Sequence, residues 1–196
     1  MNAITEIETA LGRLDAAIKA GSSDHRCLRH WSEFIRLRDG HRCVDCHSRR
    51  RLSAHHICRK TFLPEARFQT GNGITLCNRC HREAHKGFNG RPDLSSPMDA
   101  QNGEKLSYME RLYCILAQDA KARRLLRDDF YFLSDQVLAK FKLFQGFEWQ
   151  TPFPGSRVEQ AYLIWAQGSL KPAGRCARRT ASPHTTDQFF RVRPSS

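Results

Sequence analysis

Near the start of the chain Ile4, Ile7, Leu11, Leu14 and Ile18 recur at spacings of 3, 4, 3 and 4. This is the alternation of a heptad seam, and it predicts an amphipathic helix within residues 1–24, ended by Gly21 and Ser22. About two heptads are too few for a stable coiled coil. The helix is therefore expected to pack on its own domain, with a homodimer through the same seam as the minority reading. A second helix is predicted from Trp31 to about Leu37, burying Trp31, Phe34, Ile35 and Leu37, with Gly40 supplying its C-terminal turn. Residues 52–57 and 74–76 have strand character, the second following the turn-forming Gly71-Asn72-Gly73. The helical period returns at Leu106, Met109, Leu112, Tyr113, Leu116 and Ala120, again over about residues 129–144, and finally over about residues 157–167 with Ser156 as N-cap. Residues 92–104, rich in Pro, Ser and Asn, read as a linker. Residues 169–196, with Arg178-Arg179 and no apolar period, read as a basic tail.

These elements give an α+β expectation: a small core at 25–91, an N-terminal helix before it, and a helical accessory region at 105–168 after the linker. With 196 residues there is room for one compact domain and an accessory element, not for two full catalytic domains. The composition, 40% apolar and 27% charged, excludes a wholly disordered chain and a membrane protein alike. Glu6, Glu8 and Asp15 in the first helix argue against a secretory signal, and no apolar run is long enough to span a bilayer, so a cytoplasmic location is expected.

Charge narrows the partner. The net charge is +12, of which residues 1–24 contribute −2, residues 25–91 contribute +10 and residues 92–196 contribute +4. An excess concentrated in one third of the chain points to a polyanion bound there, nucleic acid before a membrane surface, because the N-terminal amphipathic helix is not itself basic.

The same segment carries the chemistry. Cys43 and Cys46 form one C-x2-C pair, Cys77 and Cys80 another, and four thiolates can close a tetrahedral structural zinc site. The intervening loop is longer than a compact zinc ribbon needs, so a further structure is expected within it. It contains His55-His56. Past the loop, His81 and His85 lie at i and i+4 of a helix opened by Cys80-His81, on one face and close enough to chelate a divalent ion.

Taken as a set, residues 43–85 resemble the HNH endonuclease family, with His56 as the first histidine, Asn72 as the asparagine and His81 following the last cysteine; Arg38-Asp39-Gly40 extends the similarity, which covers about residues 28–91. The resemblance implies a ββα-metal fold of two antiparallel strands and a helix around a divalent cation. It implies His56 as general base; His55, His81 and His85 as ligands of a catalytic ion, Mg2+ first with Mn2+, Ni2+ or Zn2+ as alternatives; and Asn72 as the residue that pins the loop and orients His56. The implied activity is hydrolysis of DNA, double-stranded by family habit, leaving 5'-phosphate and 3'-hydroxyl ends. Adjacent strand residues face opposite ways, so His55 and His56 share a site only if metal and phosphate approach from different sides or the strand end is distorted. His41, His47 and Cys58 are alternative ligands by proximity alone. The competing function is a zinc-stabilised nucleic-acid-binding module without catalysis, which accounts for the cysteines and the charge but leaves the histidines idle.

Overall fold

The computed structural model describes residues 3–86 and 106–167; the linker expected at 92–104 and the basic tail expected at 169–196 lie outside the described residues. The elements run α1 (Ala3–Lys19), α2 (Asp24–Arg38), β1 (Leu52–His56), β2 (Gly73–Cys77), α3 (Asn78–Ala84), α4 (Leu106–Ala122), α5 (Asp135–Phe144) and α6 (Arg157–Gln167). Helices therefore surround one antiparallel pair, β1–β2, in the register Leu52↔Cys77 to His56↔Gly73. The protein is α+β. No helix among the described residues is long and apolar enough to cross a membrane.

Helix α1 packs on α2 through Ile7, Ala10, Leu14 and Ala17, while Ile4 and Ile18 remain 39% and 41% exposed. The buried face thus departs from the heptad seam. The buried positions keep the 3, 4, 3 spacing but are rotated toward Ala10 and Ala17, whose small side chains admit the neighbouring helix. Helix α2 begins seven residues before the expected Trp31, because the Ser23 hydroxyl accepts the Arg26 N–H at 3.4 Å and caps it. Its end is fixed by Gly40 at φ +70°, with the His41 N–H reaching back to the Arg36 carbonyl at 2.8 Å.

A buried ion pair ties this helix end to the sheet. Arg38 and Asp39 are both fully buried and paired at 2.8 Å. The Arg38 guanidinium donates to the carbonyls of Thr70, Gly73 and Phe130 and lies 4.2 Å over the Tyr131 ring. Asp39 accepts the Thr75 N–H at 2.7 Å. Every guanidinium nitrogen and both carboxylate oxygens have a hydrogen-bond partner, as burial of charge requires.

The helix expected over about residues 129–144 starts later than its apolar residues suggest. Residues 129–134 are not helical; they lie against the loop before β2, where the Gly71 N–H donates to the Phe132 carbonyl and the Phe132 N–H donates to Thr70 Oγ1, both at 2.8 Å. Helix α5 begins only after Ser134, whose hydroxyl accepts the Val137 N–H. Helix α6 has the expected bounds, with Ser156 donating its N–H and hydroxyl to Glu159 at 2.9 Å in half of a capping box. The apolar residues of the first and last thirds meet in one continuous core running from Ile7 to Trp165.

Candidate metal centres

Two sets of donor atoms form around the β1–β2 pair. The first begins in a tight turn, where the His47 N–H donates to the Cys43 carbonyl and the Cys43 N–H to the Ser48 carbonyl. His47 takes the left-handed conformation at φ 61° to close it. The Val44 N–H donates to the Thr75 carbonyl and fastens this turn to β2. Cys77 ends β2 and Cys80 lies in the first turn of α3. The Sγ atoms of Cys43, Cys46, Cys77 and Cys80 consequently lie within 4.8 Å of one another, with Cys46 and Cys77 3.5 Å apart. The set is able to hold a structural metal such as zinc. Burial pushes the Cys43 thiol up to about 11 and raises that of Cys80, so a cation is needed to offset thiolates at these positions. Arg111 of α4 pairs with Asp45 inside the first knuckle at 2.5 Å, tying the later helices to it.

The second set is made of imidazoles. His55 leaves β1 toward α3, is 7% exposed, and meets His81 and His85 at ring-centroid distances of 5.0 Å each. His85 caps the C-terminus of α3, and its Nε2 lies 3.3 Å from that of His81. Two ring nitrogens at that separation are held together by a proton or a cation. One nitrogen from each of the three rings lies within 4.8 Å of the others. Burial, followed by the neighbouring imidazoles, holds His55 well below the usual histidine range. It is therefore neutral near pH 7, the form that ligates metals.

His56 points elsewhere. Its ring stacks on Trp31 of α2 at 4.1 Å and 6°, and its Nε2 lies 2.8 Å from the Arg67 carbonyl. A carbonyl only accepts, so Nε2 carries the hydrogen and Nδ1 keeps the lone pair. Burial, assisted by Lys60 and opposed by the Arg67 carbonyl, lowers the His56 pKa and keeps the ring neutral. Across the sheet, Gly73 leaves the space Trp31 uses: a Cβ there would sit 2.6 Å from the indole and 2.5 Å from Ile35. Adjacent strand residues thus serve different faces, His55 with α3 and His56 with α2.

Asn72 closes the long loop between the strands. It is fully buried, accepts the Cys58 N–H at 2.8 Å through Oδ1, and donates to the carbonyls of Cys58 and Ala66 at 3.0 and 3.1 Å. The Tyr113 hydroxyl of α4 adds a bond to Oδ1 at 3.3 Å. The amide therefore touches backbone on both sides of the loop, and neither donor set includes it. His41, His47 and Cys58 also stand outside both sets. Set against protein-family models, curated proteins and solved structures, the chain matches none.

Three contributors carry no signal in the sequence. Trp31 reads as a core aromatic, the Arg67 carbonyl has no side-chain identity to notice, and Gly73 reads as part of a turn. Each becomes visible only when α2 and the 57–72 loop are folded onto β1.

Proposed function

We propose that the protein is a metal-dependent DNA endonuclease of the HNH type, with β1, β2 and α3 as its ββα-metal core and the cysteine set as its structural zinc site. The observation that carries the reading is the division of labour at His55-His56: one imidazole joins two others in a convergent donor set, while the next is held neutral, with one nitrogen hydrogen-bonded and the other free.

His56 is the general base. Its Nδ1 takes a proton from water as that water attacks phosphorus, and the Arg67 carbonyl stabilises the imidazolium that forms through the Nε2 hydrogen. The phosphorus–O3' bond breaks, the O3' takes a proton from solvent, and the ends are a 5'-phosphate and a 3'-hydroxyl. His55, His81 and His85 would hold a divalent cation, which when bound would supply positive charge for the oxyanion developing at the leaving group. Three imidazoles suit Zn2+ or Ni2+ better than the Mg2+ placed first by the resemblance, because Mg2+ prefers oxygen ligands. Trp31 fixes the plane of the base, and Asn72 holds the loop that brings the Arg67 carbonyl to it. The +10 charge of residues 25–91 supports a polyanionic substrate.

A zinc-stabilised binding module without catalysis shares the cysteines and the charge, but gives the three-imidazole set and the oriented His56 no task. The test is cleavage of plasmid DNA with Zn2+, Ni2+, Mn2+ or Mg2+ added, followed by end mapping. Cutting that depends on added ion and leaves 5'-phosphates is expected. DNA bound but never cut with any of the four ions sinks the nuclease reading and leaves the binding module.

A further inference from the structure

Among the large apolar side chains left at the surface, which include Phe132 and Trp149, two rings meet at the loop that serves His56. Phe62 is 41% exposed, Phe144 46% and Leu143 60%. Phe62 belongs to the turn after β1, in which its own N–H and that of Leu63 both donate to the Arg59 carbonyl. Phe144 is the last residue of α5, and its ring lies 5.1 Å from that of Phe62 at 41°. One helical turn earlier Lys140 pairs with Glu65, so α5 is strapped to the same loop. Lys60 is exposed two residues before Phe62. The aromatic pair therefore joins the end of α5 to the loop that leaves β1, next to Lys60 in the segment that carries the +10 charge.

We infer that Phe62 and Phe144 form a stacking platform for unpaired bases, so that the enzyme acts on single-stranded or locally unpaired DNA. This inference rests on the nuclease reading and names its substrate class. Charge decides between occupants: Phe62 lies beside Lys60 in the segment that carries +10, lysine is depleted in protein–protein interfaces, and exposed aromatic rings beside a cationic track are the means by which single strands are held. Two exposed rings in contact offer a face to a base without first uncovering the core, and Lys60 engages a neighbouring phosphate.

The test uses the full chain carrying His56→Ala, so that binding is read without cutting, and measures fluorescence anisotropy with a single-stranded oligonucleotide and with its duplex at one salt concentration. The single strand is expected to bind more tightly than the duplex. Phe62→Ala and Phe144→Ala are each expected to weaken it by roughly tenfold, the scale of one lost base stack. Phe62→Tyr retains the affinity, whereas Phe62→Leu, which keeps an apolar side chain and the fold, behaves like alanine. Unchanged single-strand affinity across these variants overturns the inference while leaving the nuclease intact, as does a change confined to self-association. Equal loss in Phe62→Tyr and Phe62→Leu overturns it too. Failure of the starting protein to bind any DNA defeats the nuclease reading itself.

Discussion

The cysteine and histidine sets lean on the same seven-residue helix but are closed to different degrees. Cys80 is in the first turn of α3, with Cys77 immediately before it, and His81 and His85 sit toward its end. Four sulfurs fill the coordination number of zinc, so that set can hold structure and nothing more. Three imidazoles leave a position for a fourth ligand. A helix of seven residues is not stable alone, so the direction of its histidines depends on what anchors its start. The dependence is expected to run one way, with the cysteine set supporting the histidine set and not the reverse.

The strongest way to break this asymmetry is Cys80→Ser. Structural zinc sites contribute on the order of 10 kcal/mol to folding, so this variant is expected to lose zinc, melt without cooperativity and lose metal binding at the histidines as well. Metal analysis and calorimetry read all three, and a variant that keeps zinc and melts like the parent refutes the site. His81→Ala should separate the two sets. Zinc content and melting are retained, while cleavage falls by roughly two orders of magnitude, corresponding to several kcal/mol of lost charge stabilisation; loss of zinc in this variant would show the sets to be interdependent. Asn72→Ala removes three bonds to buried backbone and is expected to cost about 2–4 kcal/mol in urea unfolding with zinc unchanged. No change in midpoint would remove Asn72 as the loop pin. Tyr113→Phe, which deletes one long hydrogen bond from α4, is the mildest test. It should lower stability by about 1 kcal/mol and leave both metal contents unaltered.

The parts of the molecule read from sequence were those whose physics is local. Strand-forming runs and turn residues located β1 and β2 to within a residue, and the Ser156 cap marked the start of α6. Proximity of the cysteine pairs also followed, because each C-x2-C is already a chelating turn. What escaped was tertiary. Phe130, Tyr131 and Leu133 are buried like helix residues, yet they lie in an irregular segment hydrogen-bonded to Thr70 and Gly71, and apolar spacing does not distinguish the two. Arg38-Asp39 reads as an ordinary charged pair at a helix end, although it binds three carbonyls and one N–H of distant segments. The stack of Trp31 on His56 joins residues that only the packing of α2 across Gly73 brings together.

The central claim is that His56 is a base held by Trp31 and the Arg67 carbonyl and that the chain cuts DNA through it. The direct measurement compares single-turnover DNA cleavage by the parent and by His56→Ala, with zinc content and DNA affinity recorded for both. Cleavage should fall by roughly 10²- to 10⁴-fold, the contribution of a positioned general base, while zinc and binding are retained. His56→Ala protein that cuts at the parental rate would contradict the account.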